Sequence, residues 1–322
     1  MPLLEVEGLT TEFRTDRGVV RAVDDVSFQV EPGETLAIVG ESGSGKSVTA
    51  LSLMRLVPNP PGRIVAGSIR FEGQDLRALS DPAMRAIRGN QIAMIFQEPM
   101  SALNPSIQIG RQIAEPLTIH RGFGWTRAIE SAKTLLQRAR VPDADRRIDS
   151  WPHQFSGGMR QRAMIAMALA CAPKVLIADE PTTALDVTVQ AQILDLLKDV
   201  TRDTGSSLIL ITHDLGVVAR YADRVAVMYG GRIVESGTAR DIYERPAHPY
   251  TIGLMESVPR LDSTAKSRLV AIDGQPPDLA ALPAGCAFAP RCARRFDACL
   301  TTRPPSRQVG NDHHAACLLH AA

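Results

Sequence analysis

The sequence predicts an α/β fold with a largely parallel sheet covered by helices on both faces. Three observations support this prediction. Short apolar runs alternate with helical patterns, a glycine-rich octapeptide joins one such run to a helix, and 44% of the 322 residues are hydrophobic. A chain of this size buries a full core, so we expect one large domain with a C-terminal appendage, or two modest domains.

Apolar or β-branched runs bounded by turn residues predict the strands. They cover residues 3–13, 27–30, 35–39, 68–71, 92–96, 175–178, 208–212 and 224–229. Apolar residues at helical spacing predict helices over residues 45–56, 107–120, 126–140, 157–172 and 187–204. The block from residue 101 to 154 has helical patterns without a clear strand, which predicts an inserted helical subdomain.

A phosphate-binding loop is predicted over GESGSGKS, between a strand and a helix. Its residues are Gly40, Glu41, Ser42, Gly43, Ser44, Gly45, Lys46 and Ser47. The glycines permit backbone angles at which successive N–H groups face one anion. Lys46 then reaches the outer phosphates and Ser47 offers its hydroxyl to Mg²⁺. The alternative is a glycine-rich turn that arose by chance, and the strand–loop–helix context favours nucleotide binding.

Two carboxylates, Asp179 and Glu180, follow the apolar run at residues 175–178. At the carboxyl end of a strand, Asp179 is placed to hold Mg²⁺ and Glu180 to polarise a water molecule that attacks the terminal phosphate. Taken alone, the pair is equally well explained as solvated charges at a strand end. Together with the phosphate-binding loop, it predicts nucleotide hydrolysis.

A second anion site is predicted at the start of the helix that follows FSGGMRQ, residues 155–161. Ser156 and the amides of Gly157 and Gly158 lie at that helix N-terminus. Here the sequence resembles the ATP-binding subunits of ABC transporters, whose signature loop is usually spelled LSGGQ. The chain departs from that spelling at Phe155 and Met159.

The resemblance extends to Gln97, to the turn Ala184-Leu185-Asp186 and to His213. Each is unremarkable alone, since a histidine at a strand end is commonly a surface or capping residue. The resemblance implies that His213 contacts the terminal phosphate and that Gln97 senses Mg²⁺ and water and reports to a membrane partner. It also implies that Phe13 stacks on adenine, although a strand aromatic is as often simply packed.

The resemblance also implies how the chain works with others. In the family, two ATP-binding subunits pair head to tail and sandwich ATP, so Ser156, Gly157, Gly158 and Met159 act on the partner's ATP. We expect a heterodimer with a second ATP-binding subunit, two membrane permease subunits and, indirectly, an extracytoplasmic solute-binding protein. The expected location is peripheral, on the cytoplasmic face of the cell inner membrane.

Charge and hydropathy exclude other classes of function. The net charge is only +1, which disfavours nucleic acid as a partner. The longest apolar stretch, near residues 163–173, is shorter than the roughly 20 residues that span a bilayer. The N-terminus shows no export signal, so we expect the chain in the cytosol, with its cysteines as thiols or metal ligands.

The C-terminal third points to one branch of the family. Residues 97–105, QEPMSALNP, and 245–251, RPAHPYT, resemble segments of the dipeptide and oligopeptide importers. After Pro246 the composition shifts toward Pro, Arg, Cys and His. We therefore expect a nucleotide-binding domain over residues 1–245 and an importer-type C-terminal region over 246–322.

Four cysteines crowd that region: Cys286, Cys292, Cys299 and Cys317, with five, six and seventeen residues between successive members. Such a set fits a structural zinc, an iron–sulfur cluster or unrelated thiols. The C-x-x-C pairs typical of zinc are missing, and the resemblance to peptide importers favours a four-iron four-sulfur cluster. Cys171 stands apart, among alanines, and is predicted to be a core residue.

These observations predict ATP hydrolysis that energises the uptake of dipeptides, oligopeptides or similar solutes. One alternative is an ABC ATPase that acts on ribosomes or DNA. Such proteins usually carry two fused ATPase halves or a long coiled coil, and the sequence has one phosphate-binding loop and no sustained heptads. Another alternative is an ABC transporter of a different solute.

Overall fold

A computed structural model describes residues 1–183, 185–257 and 272–320. Its strands are β1 (Leu4–Thr15), β2 (Gly18–Val30), β3 (Thr35–Val39), β4 (Gly62–Phe71), β5 (Gln74–Asp75), β6 (Ile92–Ile95), β7 (Val175–Asp179), β8 (Ser207–Thr212), β9 (Arg224–Tyr229), β10 (Arg232–Thr238), β11 (Arg307–Gly310) and β12 (His313–Ala315). Its α-helices are α1 (Lys46–Leu53), α2 (Asp81–Ile87), α3 (Pro99–Ala102), α4 (Ile109–Arg121), α5 (Trp125–Arg138), α6 (Ala144–Arg147), α7 (Gly157–Ala168), α8 (Val187–Thr204), α9 (Leu215–Tyr221), α10 (Ala239–Glu244), α11 (Pro249–Glu256) and α12 (Asp297–Thr301).

Short 3₁₀ helices complete the secondary structure, at Leu76–Ala78, Pro152–Gln154, Ala289–Arg291 and Leu318–His320. The predicted strands at 35–39 and 224–229 and the predicted helix at 187–204 have the bounds found in the structure. The chain folds as two compact units. The first contains Met1–Val30, Thr35–Arg77 and Ile211–Ala322, and the second contains Glu31–Glu34 and Ala78–Leu210.

The first unit contains an antiparallel sheet with strand order β2-β1-β4-β5. A tight turn joins β1 to β2, with Thr15 opposite Gly18. Side chains on the buried face of β1 include Leu4, Val6 and Leu9. This sheet corrects the expectation of a largely parallel sheet: the predicted strands at 27–30 and 68–71 are only the ends of the longer antiparallel strands β2 and β4. One-sided burial of this kind is typical of antiparallel sheets.

The second sheet of the first unit has mixed strand directions. β3 pairs in parallel with β9, and β10 pairs antiparallel with both β9 and β12. β11 pairs antiparallel with β12 at the edge. The sequence analysis missed β10, β11 and β12, because these strands are short or polar. Strand β12, from the C-terminal region, is therefore part of the sheet that also carries the strand before the phosphate-binding loop.

The C-terminal region shares its hydrophobic core with the rest of the first unit. Tyr250 and Phe288 pack in one buried cluster with Val39, Val227 and Tyr229. The structure thus does not support the predicted cysteine-rich appendage, because these residues complete a common core rather than a separate one. The domain boundary near residue 245 remains a prediction.

The second unit places β6 and β7 side by side in parallel, with Ile92 opposite Val175. Helices α4, α5 and α7 pack against one another. The buried face of α5 consists of Ala128, Ala132 and Leu136, four residues apart, as expected for one face of a helix. Residues 103–154 contain α4, α5 and α6, and no described residue in this stretch is part of a strand.

Candidate nucleotide site

The phosphate-binding loop connects β3 to α1 in the first unit. Gly43 has a φ of 79° and Gly45 a φ of 106°, backbone conformations that favour glycine. At Gly45 a side chain would also collide with the carbonyl oxygen of Ala22. Gly45 is the N-cap of α1 and has no side chain to cap the helix, so the first N–H groups of α1 face a ligand in this position.

Lys46 is buried, with only 4% of its surface exposed. Its ammonium donates hydrogen bonds to the carbonyl oxygens of Gly40 at 2.8 Å and of Glu41 at 2.9 Å. These bonds hold a positive charge over the loop. The hydroxyl of Ser44 is buried and has no hydrogen-bond partner among the described residues, so it is available to an incoming polar ligand. Ser47 lies in the first turn of α1.

The two predicted carboxylates lie at the end of β7 in the second unit. Asp179 is the last residue of the strand and is 4% exposed. Glu180 follows with a φ of 44°, in the left-handed region that is costly for a residue with a side chain. The side-chain amide of Gln97 and the hydroxyl of Thr183 both donate to Oε2 of Glu180, at 3.1 and 2.9 Å. The carboxylate orientation is therefore fixed by two neighbours.

The signature loop begins α7, also in the second unit. Ser156 is the N-cap, and its hydroxyl accepts a hydrogen bond from the backbone N–H of Met159 at 3.4 Å. Gly157 and Gly158 form the first turn, where helical N–H groups lack intrahelical partners. Phe155, one of the two departures from the family spelling, is 2% exposed. It fills core volume, so this departure does not alter the exposed anion-binding end of the helix.

The other predicted site residues are spread over both units. Asp186 caps α8, because its carboxylate accepts from the N–H of Val189 at 3.0 Å. Ala184, in the same predicted turn, lies outside the described residues. In the first unit, His213 directly follows β8 and is exposed. Phe13 is half-buried on β1, with its ring edge beside Gly62. Adenine stacking by Phe13 therefore remains a prediction.

Two comparisons of sequence decide the family. Residues 23–183 match the family model described as ABC transporter, and residues 234–299 match the oligopeptide/dipeptide transporter C-terminal region. A putative peptide import ATP-binding protein of Brucella abortus (strain 2308) is 54% identical over 327 residues, covering 98% of this chain and 97% of the relative. The chain belongs to the ABC transporter family. The family prediction made from the motifs is thus confirmed.

Other members of the family are similar over most of the chain. The oligopeptide transport ATP-binding protein OppD of Bacillus subtilis (strain 168) is 52% identical, covering 99% of this chain and 89% of the relative. Among solved structures, a dimeric post-hydrolysis state of the ATP-binding cassette MJ0796 bound to ADP and Pi has a TM-score of 0.66. That structure is 27% identical and covers 74% of this chain and 99% of its own. The ABC ATPase fold is therefore established.

The four C-terminal cysteines of this ABC protein line one cavity in the first unit. Burial raises the pKa of the Cys286 and Cys317 thiols, and nearby cysteines raise it further. The cavity has a volume of about 10 Å³, on the order of one water molecule. Among the described residues, no three or more His, Cys, Asp or Glu side chains are arranged to hold a metal ion. The structure therefore does not support the metal role predicted for Cys286, Cys292, Cys299 and Cys317.

Two further findings concern membrane and core. No helix in the described part of the chain is long and apolar enough to cross a membrane. Cys171 is 1% exposed, which confirms the prediction that it is a core residue.

The sequence analysis missed two kinds of contact at the site. Thr183 lies three residues after Glu180 and holds its carboxylate, and a hydroxyl at this spacing is a signal that sequence reasoning could have used. By contrast, Glu41 of the phosphate-binding loop pairs with Arg291, 250 residues further along the chain. Nothing in the local sequence of either residue indicates that pair.

Proposed function

We propose that this chain is the ATP-hydrolysing subunit of an ABC importer for dipeptides, oligopeptides or similar solutes. The observation that carries the proposal is the union of a complete ABC ATPase motif set with a C-terminal region that matches the oligopeptide/dipeptide transporter model. Relatives named for peptide import are 52–54% identical over nearly the whole chain. The same C-terminal match argues against an ABC ATPase that acts on ribosomes or DNA.

In this proposal the chain's own residues divide the work on ATP. The backbone N–H groups of the phosphate-binding loop and the ammonium of Lys46 hold the phosphates. Ser47 and Asp179 bind Mg²⁺, whose charge offsets that of the phosphates, and Gln97 senses the metal. Glu180 accepts the proton of the attacking water, and His213 contacts the terminal phosphate. The hydrogen bonds from Gln97 and Thr183 keep the carboxylate of Glu180 in one orientation.

A partner subunit completes the catalytic cycle. Ser156, Gly157, Gly158 and Met159 act on ATP bound to a second ATP-binding subunit, and Asp186 helps to shape the junction. Because peptide importers resembling this chain pair two different ATPases, the dimer is a heterodimer. It docks on two permease subunits at the cytoplasmic face of the inner membrane, and a solute-binding protein delivers the solute from outside.

Reconstitution tests this function directly. The chain, its partner ATPase and two permeases from the same operon are placed in proteoliposomes, and ATP hydrolysis is measured with and without binding protein and a mixed peptide library. We expect hydrolysis to rise when peptide-loaded binding protein is present. Hydrolysis that responds to another solute class and not to peptides would contradict peptide import, while the ATPase assignment would stand.

The four cysteines form a second part of the proposal, in which they ligate a four-iron four-sulfur cluster. Four thiols that line one cavity support it, since thiolates are the ligands of such clusters. When bound, the cluster cross-links a short segment and thereby contributes to its folding free energy. The cavity volume requires the thiols to turn outward to admit a cluster.

Anaerobic purification tests the cluster separately from transport. We expect brown protein that contains iron and acid-labile sulfide in near-equal amounts and loses both in the Cys292→Ser variant. Colourless protein with stoichiometric zinc would establish the zinc alternative, and protein without either metal would leave ordinary thiols.

A further inference from the structure

The C-terminal region holds the second residue of the phosphate-binding loop. The guanidinium of Arg291 forms two parallel hydrogen bonds with the carboxylate of Glu41, Nη1 to Oε2 at 2.6 Å and Nη2 to Oε1 at 3.0 Å. The Arg291 side chain is only 5% exposed and that of Glu41 24%. A bidentate pair with this little exposure is both geometrically specific and weakly screened by solvent.

A second contact fixes the backbone of the same loop residue. The N–H of Glu41 donates to the phenolic oxygen of Tyr250 at 2.8 Å. Tyr250 is fully buried, and its ring centroid lies 4.5 Å from that of Tyr229 and 5.4 Å from that of Phe288. Both the side chain and the backbone of Glu41 are therefore held by residues that follow the last core strands.

Arg291 is itself held in place from several sides. It donates to the carbonyl oxygens of Ile272 and Asp273 at 3.3 and 2.9 Å. It also donates to the hydroxyl of Tyr229 at 3.4 Å. A guanidinium with its donors committed in this way is a fixed support, and ordering it costs little further entropy when a nucleotide binds.

The position of Glu41 gives this support a functional consequence. Glu41 lies directly after Gly40, and its own carbonyl oxygen accepts a hydrogen bond from the ammonium of Lys46 at 2.9 Å. A shift of the Glu41 backbone therefore changes both the course of the loop and the position of the charge that meets the phosphates. Arg291 and Tyr250 touch neither the phosphates nor the reacting water in this arrangement, and they act through Glu41.

We propose that Arg291 and Tyr250 are positioning residues that preorganise the phosphate-binding loop through Glu41 and thereby set the nucleotide affinity of the subunit. The inference rests on the nucleotide binding proposed above. It assigns the C-terminal region of this chain a part in the ATP cycle in addition to any role of its cysteines.

The chain offers a matched control for this test. Arg303, also in the C-terminal region, forms an ion pair with Asp24, a residue of β2 outside the loop. Arg303→Gln removes a pair between the C-terminal region and the core without touching Glu41. Any general loosening of the region affects this variant too, whereas a loss of loop positioning does not.

The experiment measures ADP affinity of the full-length chain by isothermal titration calorimetry, with thermal unfolding recorded in parallel. We expect Arg291→Gln to raise the Kd by about tenfold, at the lower end of the coupling seen between protein sites. Arg303→Gln should change it less than about twofold. Tyr250→Phe, which removes one hydroxyl, should raise the Kd by about threefold, on the scale of one hydrogen bond. Arg291→Lys should not restore affinity, since an ammonium lacks the planar fork.

A double-variant cycle separates positioning from structure. If Arg291 acts through Glu41, Glu41→Gln and Arg291→Gln together should raise the Kd no more than the larger single effect. If Arg291→Gln fails to fold, Tyr250→Phe and the KM for ATP decide. Wild-type Kd in folded Arg291→Gln and Tyr250→Phe would overturn the inference, and a wild-type chain that binds no ADP would instead overturn the proposed function.

Discussion

The side-chain amide of Gln97 donates a hydrogen bond to the carboxylate of Glu180 at 3.1 Å. The two residues follow neighbouring parallel strands of the second unit, β6 and β7, so the sheet itself brings them together. In the proposed function, one senses Mg²⁺ and the other polarises water. The bond gives a direct physical route by which a change at Gln97 reaches the catalytic carboxylate.

The first prediction is that Glu180→Gln abolishes turnover and preserves nucleotide binding. The amide keeps the shape of the carboxylate but does not accept a proton, so ATP hydrolysis should fall by about 10²–10⁴-fold. Lys46→Ala should instead weaken binding, because it removes the charge held over the loop. Steady-state hydrolysis and ADP affinity, measured on both variants, distinguish the two roles. Near-normal hydrolysis by Glu180→Gln would remove Glu180 from its assigned role.

The second prediction concerns Thr183, which supports Glu180 from the other side. Thr183→Val keeps the shape and removes the hydroxyl, so the carboxylate loses one of its two printed donors. We expect kcat to fall about tenfold, which corresponds to about 1.4 kcal/mol in the barrier, with little change in KM. Thr183→Ser, which keeps the hydroxyl, is the control and should retain most of the activity. Equal kcat in Thr183→Val and the wild type would show that the bond does not matter for turnover.

Sequence reasoning reached these catalytic residues because they belong to contiguous motifs. A glycine loop, a carboxylate pair and a serine N-cap each carry their chemistry within a few residues, and buried strands such as β3 and β7 are short apolar runs. Their local context was sufficient.

The C-terminal region was harder to predict, for a physical reason. Its fold depends on contacts between residues far apart in sequence. The Arg291–Glu41 pair spans 250 positions, and β12 is a three-residue strand whose pairing with β10 no periodicity could reveal. A polar, proline-rich composition therefore indicated an appendage where the structure has a shared core.

The third prediction is a loss of stability in acid that originates at His248. Burial lowers the pKa of His248 from 6.5 to about 4, and His320 lowers it further. Neutral Nδ1 accepts a hydrogen bond from the N–H of Tyr250 at the start of α11. Because the native state favours the neutral form, this stabilisation is complete above pH 6.5 and is lost as the pH falls from 6.5 to about 4. The difference in pKa corresponds to about 3 kcal/mol.

Hydrogen–deuterium exchange of peptides from α11, followed from pH 7.5 to 4.5, measures this effect. His248→Asn is the control, since asparagine caps a helix without titrating in this range. We expect protection of α11 to decline with acid in the wild type, and to decline less in His248→Asn. The same acid sensitivity in both proteins would assign the effect to other groups.

The last prediction links the cysteine cavity to the nucleotide site. Cys292 follows Arg291 in the chain, and its N–H donates to the carbonyl oxygen of Ala289, within the 3₁₀ turn that carries Arg291. If Cys292 ligates a cluster, its loss frees that turn, and Arg291 no longer holds Glu41 firmly. We therefore expect Cys292→Ser to lose iron and to raise the Kd for ADP in parallel, by up to the roughly tenfold effect expected for Arg291→Gln.

Cys171→Ala is the control for this prediction. Cys171 is a buried thiol of the second unit, and its substitution removes a cysteine without touching the cavity or Arg291. It should keep both the iron content and the ADP affinity of the wild type. Iron lost from Cys292→Ser with unchanged ADP affinity would separate the cluster from the loop. If the wild type contains no metal, serine is a near-isosteric replacement for a thiol, and the Kd should stay within about twofold.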